Sequence, residues 1–156
     1  METIISKDNL EKWLKGWTLS RKLSPPVKYK SGYKVDVGFE SQKARYVFLK
    51  FNEDFISLAN EIKDNYIFLK VCAAPEEITP VIPIHWKIQP QGYMMSCSSP
   101  MNISEVSLPD AYTIETENYN STVFLKIFDD GGLIAATGRI VLVDDLAIYD
   151  RIITGL

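Results

Sequence analysis

The chain has 156 residues, of which 46% are hydrophobic and 24% are charged, so it has about the size of one globular domain and a composition that excludes wholesale disorder. Its 17 Lys and Arg against 20 Asp and Glu give a net charge of -3 without a basic block, which argues against nucleic acid as a partner because binding phosphates needs clustered cations. No apolar run approaches the roughly 20 residues that span a bilayer, and two cysteines make no disulfide framework. We therefore expect a cytoplasmic protein that does not bind membranes.

An apolar stripe near the start of the chain predicts a helix over Asp8–Leu19, because its members repeat at i, i+3, i+4 and i+7. Asp8 is the predicted N-cap, since Glu11 follows three residues later as in a capping box. The two tryptophans of the stripe could form a ligand-stacking surface or dock the helix on a core, and docking is favoured because it requires such a stripe. The stripe consists of Leu10, Trp13, Leu14 and Trp17.

The next segment predicts a strand–helix–strand unit. Residues alternate between apolar and polar over Tyr33–Phe39, which indicates a half-buried strand, and Tyr46–Leu49 is an unbroken apolar run typical of a buried one. Asn52 is the predicted N-cap of a second helix, and Tyr66–Val71 is a further strand. This order favours a mixed sheet with helices packed on it.

Six prolines interrupt residues 73–109 and predict short extended pieces there, such as Ile84–Ile88 and Tyr93–Cys97. The polar stretch 98–109 is interpreted as the connection between two halves. The sequence thus predicts an N-terminal α+β lobe over residues 1–104 and a β-meander over residues 105–156.

Three strand-like runs close the chain, at Val123–Phe128, Leu133–Val143 and Leu146–Ile153, and short Asp- and Gly-containing turns join them. We expect a three-stranded antiparallel meander. The predicted fold class is α+β, with a mixed, mainly antiparallel sheet and few helices.

A two-residue loop at Asp144-Asp145 fixes the register of the last hairpin, because side chains alternate with a period of two. It places Arg139 opposite Asp150 and puts both residues on one face of the sheet. The same face is predicted to carry Thr137, Val141, Ile148 and Ile152, and the other face Gly138, Ile140, Leu142, Ala147, Tyr149 and Arg151.

Few residues suggest catalytic chemistry. His85 is the one histidine, so no Ser-His-Asp or Cys-His arrangement stands out, and the spacing of Cys72, Cys97 and His85 is not that of a zinc site, so we predict no metal. Asp150 interrupts an apolar strand and could be a general base with a raised pKa. A cross-strand ion pair with Arg139 would instead keep the carboxylate ionised, and we favour this second interpretation.

Two segments of the meander carry a family resemblance. Residues 124–140, with the run Ala135-Ala136-Thr137-Gly138-Arg139 after an Asp- and Gly-containing turn, and residues 147–154 are similar to the second to fourth strands of GNAT-family N-acetyltransferases. In that family the fourth strand leads into a loop that binds the pyrophosphate of acetyl-CoA, and the chain ends before such a loop. The resemblance implies that the pantetheine arm pairs with the backbone of Ile152 and Ile153. The family's helices between its first two strands are not evident here.

The resemblance implies an acyl-CoA-dependent N-acetyltransferase that transfers acetyl from acetyl-CoA to an amine of a small molecule or peptide, with Asp150 or water taking the proton. We expect the chain to be the front part of a longer protein, which would be inactive and bind acetyl-CoA poorly by itself. An unpaired, Ile-rich last strand also predicts a homodimer through that edge. The alternative function is a non-enzymatic α+β binding module, which the lack of a nucleophile–base pair favours.

Overall fold

The computed structural model describes residues 5–97, 99 and 107–155 of the chain. In this part the chain forms two four-stranded sheets and three helices, which confirms the predicted α+β class with few helices and mainly antiparallel strands. The helices are α1 (Lys7–Ser20), α2 (Glu53–Glu61) and α3 (Pro75–Ile78). The strands are β1 (Val27–Tyr29), β2 (Gly32–Phe39), β3 (Gln42–Phe48), β4 (Ile67–Val71), β5 (Thr113–Tyr119), β6 (Thr122–Phe128), β7 (Ile134–Val143) and β8 (Leu146–Thr154).

The first sheet has the strand order β1-β2-β3-β4 and contains the predicted strand–helix–strand unit. Strands β1 to β3 are antiparallel, whereas β4 runs parallel to β3, so α2 serves as the crossover that a parallel pair requires. Asn52 caps α2 as predicted, because its side-chain oxygen accepts a hydrogen bond from the Phe55 amide at 3.2 Å. Phe55 and Leu58 bury the apolar face of α2 against Phe48 of β3.

In the Pro-rich middle, the predicted extended pieces Ile84–Ile88 and Tyr93–Cys97 do not join a sheet. Side chains fix part of this segment instead: the Trp86 indole N–H donates to the Ala59 carbonyl at 2.8 Å, at the end of α2. Prolines supply no amide to a strand ladder, which explains why the apolar runs between them stay irregular. In the predicted connection over residues 98–109, residues 98 and 100–106 lie outside the described part of the chain.

The second sheet has the order β5-β6-β7-β8 and is antiparallel throughout, which confirms the three predicted strands of the meander. Strand β5 is a fourth strand that the sequence analysis missed. It pairs with β6 along its whole length although every one of its residues is exposed. Most residues of this edge strand are Thr, Glu or Asn, so it shows no apolar face and periodicity gives no signal for it.

The β7–β8 hairpin has the predicted register near its loop, with Val143 opposite Leu146 and Arg139 opposite Asp150. Asp144 supplies the left-handed backbone (φ 51°) that the two-residue loop requires.

Beyond Asp150 the predicted alternation is wrong, because β8 contains one extra residue. Thr137 pairs with Ile153, and Arg151 adopts a left-handed backbone with φ 50°. This β-bulge moves Ile152 to the opposite face, where its Cδ1 lies 2.8 Å from the point that a Cβ on Gly138 would occupy. Ile153 takes the position on the Arg139 face that the sequence analysis had given to Ile152.

Helix α1 lies between the two sheets. On one side Leu10, Leu14 and Trp17 pack into a buried cluster with residues of β2 and β3, which confirms docking as the role of the apolar stripe. On the other side β7 and β8 supply a cluster of Val141, Val143 and Ile148, against which Trp13 packs.

The N-cap of α1 is Ser6, not Asp8. The Ser6 hydroxyl accepts a hydrogen bond from the Asn9 amide at 3.1 Å, and the helix begins at Lys7. Asp8 is the second residue of the helix and forms a salt bridge with Lys12 at 2.8 Å. A serine in an extended conformation directly before the helix satisfies the free amide, so the predicted capping box does not form.

Gly16 allows the close approach of α1 to β8. A Cβ at this position would clash with Ile148 Cδ1 and stand 3.3 Å from Val143 Cγ2. We expect Gly16→Ala to lose about 1–3 kcal/mol through overpacking, which exceeds the gain of about 1 kcal/mol in helix propensity. In an Ile148→Val background, which lacks Cδ1, the same substitution should be neutral or stabilising. Urea unfolding of the four proteins measures this coupling, and an equal effect of Gly16→Ala in both backgrounds would contradict the contact.

Candidate functional site

Asp150 of β8 faces the C-terminal end of α1, and its side chain is only 13% exposed. Its carboxylate accepts hydrogen bonds from the Ser20 hydroxyl at 2.8 Å and from Arg21 Nη2 at 3.1 Å. The predicted ion pair with Arg139 is wrong, because the Arg139 guanidinium donates to the Ser20 carbonyl at 2.7 Å. A cation is favourable at that position, since the last carbonyls of a helix carry partial negative charge.

The pKa of Asp150 is lowered, not raised as the general-base hypothesis expected. Burial by itself would raise this pKa, but the hydrogen bonds from Ser20 and Arg21 and the positive charges of Arg21 and Arg139 outweigh burial. Asp150 is therefore an ionised carboxylate with both oxygens engaged at neutral pH, which makes it a weak proton acceptor. Its catalytic role stays a prediction.

Arg21 and a second arginine, Arg45, add positive charge near this carboxylate, and sequence reasoning missed both. The guanidinium carbons of Arg21 and Arg45 lie 4.5 Å and 4.3 Å from the ring centroid of Trp17, a geometry that gives cation–π attraction. Burial, together with the charge of Arg21, lowers the pKa of Arg45 to about 10, and Asp150 opposes this shift. Positive charge thus exceeds negative charge around Asp150. No local pattern links residues so far apart in sequence.

The end of β8 is the edge of the second sheet. The Gly155 amide donates to the Ala135 carbonyl at 3.1 Å, and two residues earlier Ile153 pairs with Thr137 in the same register. In an antiparallel ladder this alternation directs the N–H and C=O of Ile153 toward β7. The outward backbone groups therefore belong to Ile152 and Thr154. Of the two residues that the resemblance assigns to the pantetheine arm, only Ile152 has outward groups, because those of Ile153 point to β7.

A cavity of about 250 Å³ lies beside the bulge on the face that carries Arg139. The guanidinium carbon of Arg139 lies 5.2 Å from the ring centroid of Phe124 within its wall. The cavity combines cationic, hydroxyl and apolar groups next to the end of β8. Its lining includes Phe124, Lys126, Thr137, Arg139, Arg151 and Ile153.

Among residues 5–97, 99 and 107–155, no group of three His, Cys, Asp or Glu side chains could hold a metal ion. Cys72 and Cys97 are exposed and free, and the His85 ring lies 3.2 Å from the Ile62 carbonyl. No helix in this part of the chain is long and apolar enough to cross a membrane.

Comparisons of the chain with protein-family models, with curated proteins and with solved structures found no match. The functional conclusion therefore depends on the chain's own residues, chiefly the end of β8 and the cavity beside it.

Asp150→Asn should destabilise the protein at pH 7 by about 1.5–3 kcal/mol, the range for hydrogen bonds to a charged group. Because the folded state lowers the pKa of this carboxyl from its ordinary value of 3.8, its stabilisation is complete above about pH 4 and disappears as the pH falls through the lower folded-state pKa. Urea unfolding should therefore show a large difference from the parent at pH 7 and a smaller one near pH 2.5.

Asp36→Asn is the matched control, because Asp36 pairs with Lys34 at 2.7 Å but is 68% exposed. Its effect at pH 7 should be small, as for exposed ion pairs in general. A loss in Asp150→Asn that is the same at both pH values would contradict an electrostatic role for Asp150.

Proposed function

We propose that this chain supplies strands of an acyl-CoA-dependent N-acetyltransferase domain, with acetyl-CoA as co-substrate and a small-molecule or peptide amine as acceptor. The observation that carries the proposal is the bulged edge strand β8, whose outward backbone groups at Ile152 and Thr154 lie at the end of the sheet. An extended chain can add to such an edge by backbone hydrogen bonds, and bulges are enriched next to active sites. The pantetheine arm of acetyl-CoA contains two amides that can pair in this way.

The chemistry is direct transfer. The neutral amine attacks the thioester carbonyl carbon, and the C–N bond forms as the C–S bond breaks. Coenzyme A leaves as the thiolate, which takes up the proton that the nitrogen loses. Backbone N–H groups at the end of β8 would stabilise the negative charge that develops on the carbonyl oxygen.

Water is the better proton acceptor for the ammonium form of the acceptor, since Asp150 is held by Ser20 and Arg21 and its pKa is lowered. We assign Asp150 a positioning role instead, because it attaches β8 to α1 immediately before the bulge.

The test uses S-acetylpantetheine, which keeps the thioester and both amides but lacks the pyrophosphate. In an ¹⁵N-labelled sample, millimolar S-acetylpantetheine should shift the amide resonances of Ile152 and Thr154, whose N–H groups point outward. The resonances of β5, the opposite edge strand, serve as the control and should stay unchanged. Weak binding is expected, because S-acetylpantetheine lacks the pyrophosphate and would contact the edge mainly through backbone hydrogen bonds. The proposal fails if no β8 resonance moves, or if the two edges respond equally.

We also propose that β8 pairs with a second copy of the chain, giving a homodimer. Ile152 is 62% exposed on this edge, and an unpaired apolar edge favours strand pairing. The pantetheine arm and the second copy would then compete for the same backbone groups.

Sedimentation equilibrium at high micromolar concentration should show a dimer that Ile152→Lys and millimolar S-acetylpantetheine each dissociate. Leu142→Lys is the matched control, since Leu142 is 57% exposed but lies on the inner strand β7. A monomeric parent protein, or equal dissociation by both lysine variants, would exclude pairing through the edge.

We place the protein in the cytoplasm, because its two exposed free cysteines favour a reducing compartment. A non-enzymatic binding module is the alternative, and S-acetylpantetheine leaving β8 unaffected would favour it.

A further inference from the structure

The cavity beside the bulge has the lining of a binding site for an anion. Lys126, Arg139 and Arg151 contribute three cationic side chains to its wall, and none of the described residues that line it is acidic. At about 250 Å³ it is slightly smaller than most sites for drug-sized ligands, so it suits a small molecule.

The acidic residues described near the cavity offset this charge only in part. Both oxygens of Asp150 accept hydrogen bonds from Ser20 and Arg21. Glu115 and Glu117 of β5 lie opposite Lys126 and Phe124 in the register. The described part of the chain contains no salt bridge between either glutamate and a cation of the cavity. The cavity therefore has an excess of positive charge that a bound anion would balance.

Arg139 is held in a fixed orientation and partly removed from water. Its Nη1 donates to the Ser20 carbonyl at 2.7 Å, and its guanidinium carbon lies over Phe124. Burial and the nearby charge of Arg151 lower the pKa of Arg139, which means that both disfavour its charged form. A bound anion would stabilise that charged form. A fixed guanidinium is well suited to a planar carboxylate, since its remaining N–H groups form a fork.

The rest of the wall indicates what the anion is attached to. Phe124 and Ile153 supply apolar surface that an inorganic ion would leave uncovered, whereas an organic acid could cover both. Ile153 also lies between Ile152 and Thr154, whose backbone groups form the proposed thioester site.

We propose that this cavity binds the carboxylate of a small organic acid, and that the acceptor of the transfer is accordingly an amine that carries a carboxylate, of the amino-acid class. The second half of this proposal rests on the proposed function, and the first half does not. The carboxylate lies among Lys126, Arg139 and Arg151, the apolar portion contacts Phe124 and Ile153, and the amine faces the end of β8.

The experiment is an NMR titration of the ¹⁵N-labelled chain with butyrate, with its neutral isostere butyramide, and with inorganic phosphate, at constant ionic strength and pH 7. Butyrate should shift the amide resonances of Thr137, Gly138 and Arg139, whereas butyramide should not, because it lacks the charge. Phosphate should bind more weakly than butyrate, since it leaves the apolar walls uncovered.

Lys126→Gln should weaken butyrate binding about three- to fivefold, the effect of removing one exposed charge partner. Lys43→Gln is the matched control, because Lys43 is an exposed lysine of β3 in the other sheet. The Lys43→Gln protein should bind butyrate with the affinity of the parent.

The proposal is overturned if butyrate and butyramide cause the same shifts, if phosphate binds at least as well as butyrate, or if both lysine variants behave alike. A different result would indicate that only the proposed function is wrong. S-acetylpantetheine would then leave the amide resonances of Ile152 and Thr154 unshifted, whereas butyrate would still bind.

Discussion

The pairing of β8 with β7, with its one extra residue at the bulge, is the constraint from which the arrangement of the candidate site follows. Before the bulge it directs Asp150 toward α1, where Ser20 and Arg21 hold it. After the bulge it directs Ile153 into the cavity and leaves Ile152 and Thr154 with outward backbone groups. Without the extra residue, these last positions would exchange faces, and the cavity and the edge would have different chemistry.

Helix α1 supports this arrangement because it contacts both sheets. Its apolar stripe is anchored in the first sheet, where each fully buried large side chain contributes about 1.5–3 kcal/mol. Its opposite side follows β7 and β8 closely, since Gly16 has no side chain to keep them apart. The end of the helix then provides Ser20, whose hydroxyl binds Asp150 and whose carbonyl binds Arg139. Packing between the two halves thus orients the guanidinium that lines the cavity.

Local patterns predicted those parts of the fold that local physics determines. The β7–β8 register near the loop followed from a two-residue turn and a period of two, and the N-cap of α2 followed from Asn52 before an acidic first turn. The bulge was not predictable, because Arg151 carries no sequence signal for a left-handed backbone, unlike glycine or asparagine. Asp150 stood out as a charge within an apolar strand. Its partners did not, since Ser20 and Arg21 lie about 130 residues away in sequence and only the packing of α1 brings them to it.

Amide hydrogen exchange at the end of β8 tests this account most directly. If the register and bulge are as described, the Ile153 amide is protected by its bond to β7, whereas the amides of Ile152 and Thr154, which face away from the sheet, exchange rapidly in a dilute sample. In the contrary pattern, Ile152 or Thr154 is protected and Ile153 exchanges rapidly. That result would mean that Ile153 has the outward backbone groups, and it would remove the basis for both proposed sites.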